Sequence, residues 1–231
     1  MIKAVFFDFF NTLAGYDPSR EEIYEQICGD LGITIKAKDI YNTLVHADMF
    51  MRDEELILPV EKRPPDQQRD FYTKYLNMAL SGCNVEVDSN TALKIFGELK
   101  KLPWQFQVFK DTIPALKELK SRGLILGLIS NVAKDMSPTY QKLGFDEYLD
   151  SYTNSLEAGY DKPRREIFLL AMEKCGVTPQ QSIFVGDQYD IDIAGARNSD
   201  MLPLLIDRND WFTHITDCDR IASLTEITRF L

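Results

Sequence analysis

Asp8, Ser130, Lys162, Asp187 and Asp192 are the residues of this chain whose types and placement could do chemistry together. Most of them follow an apolar run. Asp8 closes KAVFFD, Ser130 closes LILGLIS with Asn131 next, and Asp187 closes SIFVGD with Asp190 and Asp192 just beyond. Lys162 stands between Asp161 and Pro163, ahead of a helical stretch. In open α/β sheets ligands bind outside the carboxyl ends of the strands, so one topology would gather these groups on one edge. Asp8 and Asp187, with no neighbouring histidine or cysteine, are hard oxygen ligands and suit Mg²⁺. An aspartate can also attack phosphorus and form an aspartyl-phosphate. The Ser130 hydroxyl, nearby backbone N–H groups and the Lys162 ammonium would hold phosphoryl oxygens as charge develops. Lysine beside two carboxylates helps keep both ionised at pH 7.

Taken singly, each residue has an ordinary structural explanation. Asp8 could simply end a strand, and Ser130-Asn131 could cap a turn. Lys162 could be a solvated loop charge, and Asp187 to Asp192 could favour a helix N-terminus through its dipole. Convergence of all of them on one sheet edge favours the chemical reading.

The elements that must position these groups follow from the pattern. Lys3 to Asp8 is a short apolar, aromatic run and reads as a buried parallel strand. Ser19 and Glu22 form a capping box, with Ile23, Ile27 and Leu31 at spacing four behind it. From there to about Lys101 the texture is helical and amphipathic, with helices over roughly 19–31, 37–56, 66–81 and 88–101. Beyond Pro103 the alternation changes. Thr112 to Arg122 reads as a helix and Leu124 to Ser130 as a strand. Pro138 to Leu143 is a short helix capped by Ser137, and Glu166 to Cys175 is a helix ending at Gly176. Ser182 to Asp187 is a strand, Ile191 to Asn198 a helix and Leu202 to Ile206 a strand. This alternation predicts an α/β fold, a Rossmann-like core with a parallel sheet and helices on both faces. Residues 1–15 and 106–231 form that core, and 16–105 form an inserted helical cap domain.

The totals narrow the function classes. The chain has 231 residues and a formal net charge of −10, which argues against nucleic acid, whose phosphates need a basic face. No apolar stretch is long enough to span a bilayer, and the N-terminus shows no signal region. Cys28, Cys83, Cys175 and Cys218 are scattered, which reads as reduced thiols of a cytoplasmic protein. A small-molecule partner is expected, and the oligomeric state is left open.

The set of motifs resembles the haloacid dehalogenase-like hydrolase superfamily, in its helical-cap branch. Asp8 to Leu13 matches D-x-x-x-T-L, followed in order by Ser130-Asn131, Lys162-Pro163 and G-D-x-x-x-x-D from Gly186 to Asp192. The resemblance covers essentially the whole chain. It implies that Asp8 is the nucleophile, with Ser130 and Lys162 assisting catalysis. It also implies phosphate binding by Asn11, Thr12, Ser130, Asn131 and Lys162. Mg²⁺ would be held by the Asp8 and Asp187 carboxylates and the Phe10 main-chain carbonyl, with Asp192 in a supporting role. The implied activity is a Mg²⁺-dependent phosphatase of a small phosphorylated metabolite.

Phe10 departs from the pattern. Phosphatases of this superfamily usually carry there an aspartate that protonates the leaving oxygen and then activates water. Phenylalanine cannot transfer a proton, although its carbonyl can still bind metal. Activated esters and anhydrides would suffer least. A 2-haloacid dehalogenase also lacks that second acid, but uses no metal and usually has a tyrosine where this chain has Phe168. A phosphonoacetaldehyde-type hydrolase needs a Schiff-base lysine in the cap, and nothing singles out Lys36, Lys38 or Lys62. A non-catalytic binding protein on the same fold is a further alternative, opposed by the intact remaining motifs.

Overall fold

The computed structural model describes residues 1–132 and 134–231. The chain divides into two compact units, one formed by Met1–Gly15 with Phe106–Leu231 and the other by Tyr16–Gln105.

In chain order the elements begin with strands β1 (Ala4–Phe7) and β2 (Ala14–Gly15). Helices α1 (Arg20–Asp30), α2 (Ala37–Ile57), α3 (Pro65–Leu80) and α4 (Ser89–Leu99) make up most of the second unit. The chain then continues through β3 (Gln107–Val108), α5 (Thr112–Ser121), β4 (Ile125–Ser130), α6 (Ser137–Lys142) and β5 (Ser151–Asn154). After the short α7 (Ser155–Ala158) come α8 (Arg165–Cys175), β6 (Ser182–Gly186), α9 (Ala194–Asn198), β7 (Leu202–Ile206) and β8 (Asp219–Ile221).

Six strands form one parallel sheet in the order β5-β4-β1-β6-β7-β8. All four residues of β1 are buried, as a strand covered on both faces must be. Val5, Phe7, Leu126, Leu128 and Val185 pack with Ala115, Leu116 and Leu119 of α5. Ala4, Phe6 and Phe184 pack with Ile167, Phe168, Ala171 and Met172 of α8. The expected α/β architecture, with helices on both faces, is therefore present. Gly127 is required by this packing, because a Cβ there would lie 2.5 Å from the Phe6 ring. β2 and β3 pair antiparallel outside the main sheet, with Ala14 opposite Val108 and Gly15 opposite Gln107.

The second unit has its own core, including Tyr24, Cys28, Ile40, Leu44, Tyr75, Leu76, Leu80 and Ile95. The Ser19–Glu22 capping box forms, with Glu22 N–H donating to Ser19 Oγ and Ser19 N–H to Glu22 Oε2. The buried face of α1 differs from the expected stripe. Glu21, Tyr24 and Cys28 are buried, whereas Leu31 lies past the helix and is exposed. The physical reason is polar. Arg20 ion-pairs with Asp48 and faces Glu21, Tyr75 donates to Asp48 Oδ1 at 2.7 Å, and this network turns the face by one residue. Ser137 also differs from its expected role. Its side chain makes no cap bond, and its N–H instead donates to Asp135 Oδ1 at 2.9 Å. Among the described residues, no helix is long and apolar enough to cross a membrane.

Candidate active site

The strand ends converge because β4, β1 and β6 are parallel neighbours. Phe7 lies opposite Leu128 and Val185, so Asp8, Ser130 and Asp187 emerge at one edge. Asp8 is held there by its own N–H, which donates to the Val185 carbonyl at 2.9 Å.

Lys162 joins them from the loop before α8. Its Nζ donates to Asp8 Oδ1 at 2.5 Å and to Asp192 Oδ1 at 2.7 Å, and it is only 2% exposed. Asn131 fixes the lysine backbone by a reciprocal clip. Lys162 N–H donates to Asn131 Oδ1 at 2.7 Å, and Asn131 Nδ2 donates to the Lys162 carbonyl at 3.0 Å. The structure thus employs both ends of the Asn131 amide on main chain. Asn11 occupies a left-handed turn position at φ 59° and donates its N–H to the Ala14 carbonyl, so its backbone shapes the loop after Asp8.

Asp187 and Asp192 are oriented by local geometry. Thr12 Oγ1 donates to Asp187 Oδ1 at 3.3 Å, and Gln188 Nε2 donates to Oδ2 at 3.0 Å. Asp192 Oδ2 accepts the Gln188 N–H at 3.0 Å. The segment after β6 is a single turn of π-helix over Tyr189–Ile193, whose wider turn brings Asp192 back under the strand end. Gly186 permits that approach, since a Cβ there would stand 2.4 Å from the Asp192 carboxylate carbon. Gln188 and its contact with Asp187 escape sequence reasoning. Adjacency to Asp187 was the one available signal, and glutamine carries no charge pattern.

Burial raises the Asp8 pKa and the Asp192 charge adds to this; Lys162 opposes both, and the net result is about 6. The carboxylate is therefore mostly ionised at pH 7. Burial disfavours the Lys162 ammonium, but the Asp192 and Asp8 carboxylates outweigh it and push its pKa up. A cation is thus locked between two carboxylates.

Asp8, Asp187 and Asp192 each offer a carboxylate oxygen, all within 4.8 Å of one another. These are hard oxygen donors with no thiolate or imidazole in the set, the chemistry Mg²⁺ prefers. Lys162 pairs with two of the three carboxylates, and a divalent cation would add further positive charge to the cluster. The residues present fit such an ion. Phe10 stands in the same loop, and its ring packs edge-on against Phe106 at 6.1 Å, so its side chain brings no proton donor to the set. Lys36 is exposed and tied to Glu25 at 2.8 Å, which raises its pKa, the reverse of what a Schiff-base amine needs.

A model of the haloacid dehalogenase-like hydrolases matches residues 2–200. A glyceraldehyde 3-phosphate phosphatase from Methanothermobacter thermautotrophicus is 26% identical over 227 residues, covering 95% of this chain and 90% of that protein. A protein of the same name from Methanopyrus kandleri is 33% identical over 133 residues, covering 53% of this chain and 57% of the relative. Among solved structures, a HAD phosphatase from Thermococcus onnurineus aligns with a TM-score of 0.58 and 23% identity, over 99% of this chain and 97% of that one.

Proposed function

The chain belongs to the haloacid dehalogenase-like hydrolase family, and we propose that it acts as a Mg²⁺-dependent phosphatase on a small phosphorylated metabolite in the cytoplasm. One observation carries this reading: a buried, ionisable Asp8 held by Lys162 within a carboxylate cluster that fits a divalent cation. The phosphatase names borne by its relatives support the same choice. The four free cysteines are consistent with a reducing compartment.

In this reading Asp8 is the nucleophile. A carboxylate oxygen of Asp8 attacks phosphorus, the P–O bond to the leaving group breaks, and an aspartyl-phosphate forms. Water then attacks that phosphorus, releasing inorganic phosphate and restoring the Asp8 carboxylate. Lys162 and the Ser130 hydroxyl hold phosphoryl oxygens as negative charge spreads over them. Mg²⁺, held by Asp8, Asp187 and the Phe10 carbonyl, would supply charge neutralisation at the phosphoryl group. Asp192 keeps Lys162 in place, and Thr12 and Gln188 orient Asp187. The Tyr16–Gln105 unit is read as the cap that selects the substrate. With Phe10 in place of an acid, the leaving oxygen departs without a proton from that position. Substrates with good leaving groups are then favoured.

The test is hydrolysis of an aryl phosphate with and without Mg²⁺. Asp8→Asn should abolish metal-dependent turnover. Phe10→Asp should raise it for poor leaving groups, by at most the roughly 10²–10⁴ that general acid–base catalysis supplies. Wild type inert at every Mg²⁺ concentration would sink the reading. Chloride release from 2-chloropropionate would then favour the dehalogenase alternative, which the missing second acid also suits.

A further inference from the structure

Tyr140 of α6 is buried, at 4% exposed, and its hydroxyl finds no hydrogen-bond partner among the described residues. Its ring is fixed from two sides. Phe9, the residue after Asp8, meets it edge-on at 5.1 Å, and Tyr152 of β5 stacks on it at 5.2 Å with 5° between the planes. The hydroxyl neighbours the Ser130 side chain and lies within the fields of Asp8 and Lys162. A stranded buried donor is unfavourable, and such groups call for an explanation. This one neighbours Ser130, a residue read here as a phosphoryl-oxygen donor.

The phenol can be a donor there but not an acid. Burial, and then the Asp8 charge, push its pKa up, so the proton stays on oxygen throughout the working range. It therefore does not replace the acid missing at Phe10. Its use lies in directing a neighbour.

We propose that Tyr140 is a positioning residue of this site, whose phenol donates to Ser130 Oγ when an oxyanion is bound, so that the Ser130 proton points at a phosphoryl oxygen. This rests on the phosphatase reading above for its turnover arm, and on oxyanion binding alone for its second arm. Nothing in the residue types around position 140 signals it, because a tyrosine at helical spacing ordinarily reads as core.

Four variants test it: Tyr140→Phe, Ser130→Ala, the double variant, and Tyr152→Phe as a control. The control keeps the ring stack and loses only a hydroxyl that bonds Asp146 at 3.2 Å. Each is assayed for aryl phosphate turnover and for orthovanadate affinity in Mg²⁺, with melting temperature as the check on folding. Tyr140→Phe should melt no lower than wild type, because the resting hydroxyl makes no bond. It should lower kcat by roughly 3- to 10-fold, the range of one neutral hydrogen bond, with KM nearly unchanged. Vanadate should weaken by a similar factor. In the Ser130→Ala background the same substitution should change nothing further, and Tyr152→Phe should match wild type.

An unchanged kcat and vanadate affinity in Tyr140→Phe would overturn the proposal while leaving the phosphatase reading intact. So would a loss that persists without Ser130, or an equal loss in Tyr152→Phe. A wild type that binds vanadate through Tyr140 and Ser130 but hydrolyses nothing would support the proposal and sink the phosphatase reading. Wild type that neither turns over nor binds vanadate would overturn both.

Discussion

At the scale of single residues, Lys162 organises the chemistry. Its side chain is 2% exposed and its two partners, Asp8 and Asp192, are 12% and 1% exposed, so the ammonium is the fixed counter-charge of a dry cluster. Lys162→Met leaves Asp8 and Asp192 without the ammonium they share. Removing one partner of a buried pair costs about 3–5 kcal/mol, and loss of an aimed donor lowers kcat by roughly 10²–10³. The sign of the pH effect follows from linkage. Without the lysine, Asp8 loses the charge that opposes its burial, so its folded-state pKa rises further above the unfolded one and the folded chain binds more protons. The variant should therefore regain stability as pH is lowered from 7 toward 5, relative to wild type. Urea unfolding of both proteins across that window checks it, and a gap that stays constant would mean the cluster is not coupled as described.

At the scale of elements, a second network ties the loop after Asp8 to the C-terminal segment. Arg208 donates to both oxygens of Asp111, at 3.0 and 2.9 Å, and to the Thr12 carbonyl at 2.8 Å. Asp111 also accepts from Leu224 N–H at 2.8 Å and from Ser223 Oγ at 3.0 Å. Burial alone would raise the Asp111 pKa, but the Arg208 and Leu224 bonds outweigh it and hold the carboxyl below its ordinary value. A depressed carboxyl stabilises the fold above its unfolded pKa, and that contribution fades as pH falls through its folded one. Asp111→Asn should lower the urea midpoint at pH 7, by the order of one or two charged hydrogen bonds, about 1.5–3 kcal/mol each. Its deficit should begin to shrink below about pH 4, where the unfolded chain protonates, and disappear once the folded carboxyl protonates as well.

The same scale shows what was legible in the chain. β1, β4, β6 and β7 are apolar runs flanked by polar residues, so burial on both faces is written into their composition. β5, Ser151–Asn154, hides because it is a polar edge strand with only Thr153 fully buried. β8 hides for a like reason, as its exposed Asp219 and its half-buried Arg220, which pairs with Asp207, give it a polar texture at the opposite edge. The types of the site residues could be read, and the loop before α8 and the turn after β6 bring Lys162 and Asp192 to Asp8. The Asn131–Lys162 clip could not be read, since it spans 31 positions and depends on how a loop turns. Tyr140 was invisible for the same reason: its ring looks like core, and only three-dimensional packing sets its hydroxyl beside Ser130.

At the scale of the whole molecule, the chain is one α/β unit interrupted by a helical unit with a separate core. The interruption leaves and returns through the smallest sheet in the protein. Gly15 and Gln107 are paired across β2 and β3, so the chain ends on either side of Tyr16–Gln105 are adjacent within the first unit. Thr112 Oγ1 donates to the Leu13 carbonyl at 2.8 Å and Phe109 N–H donates to the same carbonyl at 3.2 Å, so this junction is also braced from α5 and the segment before it. Replacing residues 16–105 by Asn-Gly would join Gly15 to Phe106 through a short loop of the kind that closes antiparallel pairs. Phe106 is kept because its ring packs on Phe9 at 4.9 Å. The shortened protein retains every strand and helix of the first unit and every residue of the Asp8–Lys162–Asp192 cluster. It should fold as a monocore domain, with a single cooperative urea transition, and should still gain thermal stability from Mg²⁺ if the carboxylate cluster binds the ion. Its selectivity among phosphate esters should fall, as the proposed cap is gone. A shortened chain without a cooperative transition would show that the parallel sheet depends on the helical unit for its stability, and that the two units are not separable in energy even though each has its own core.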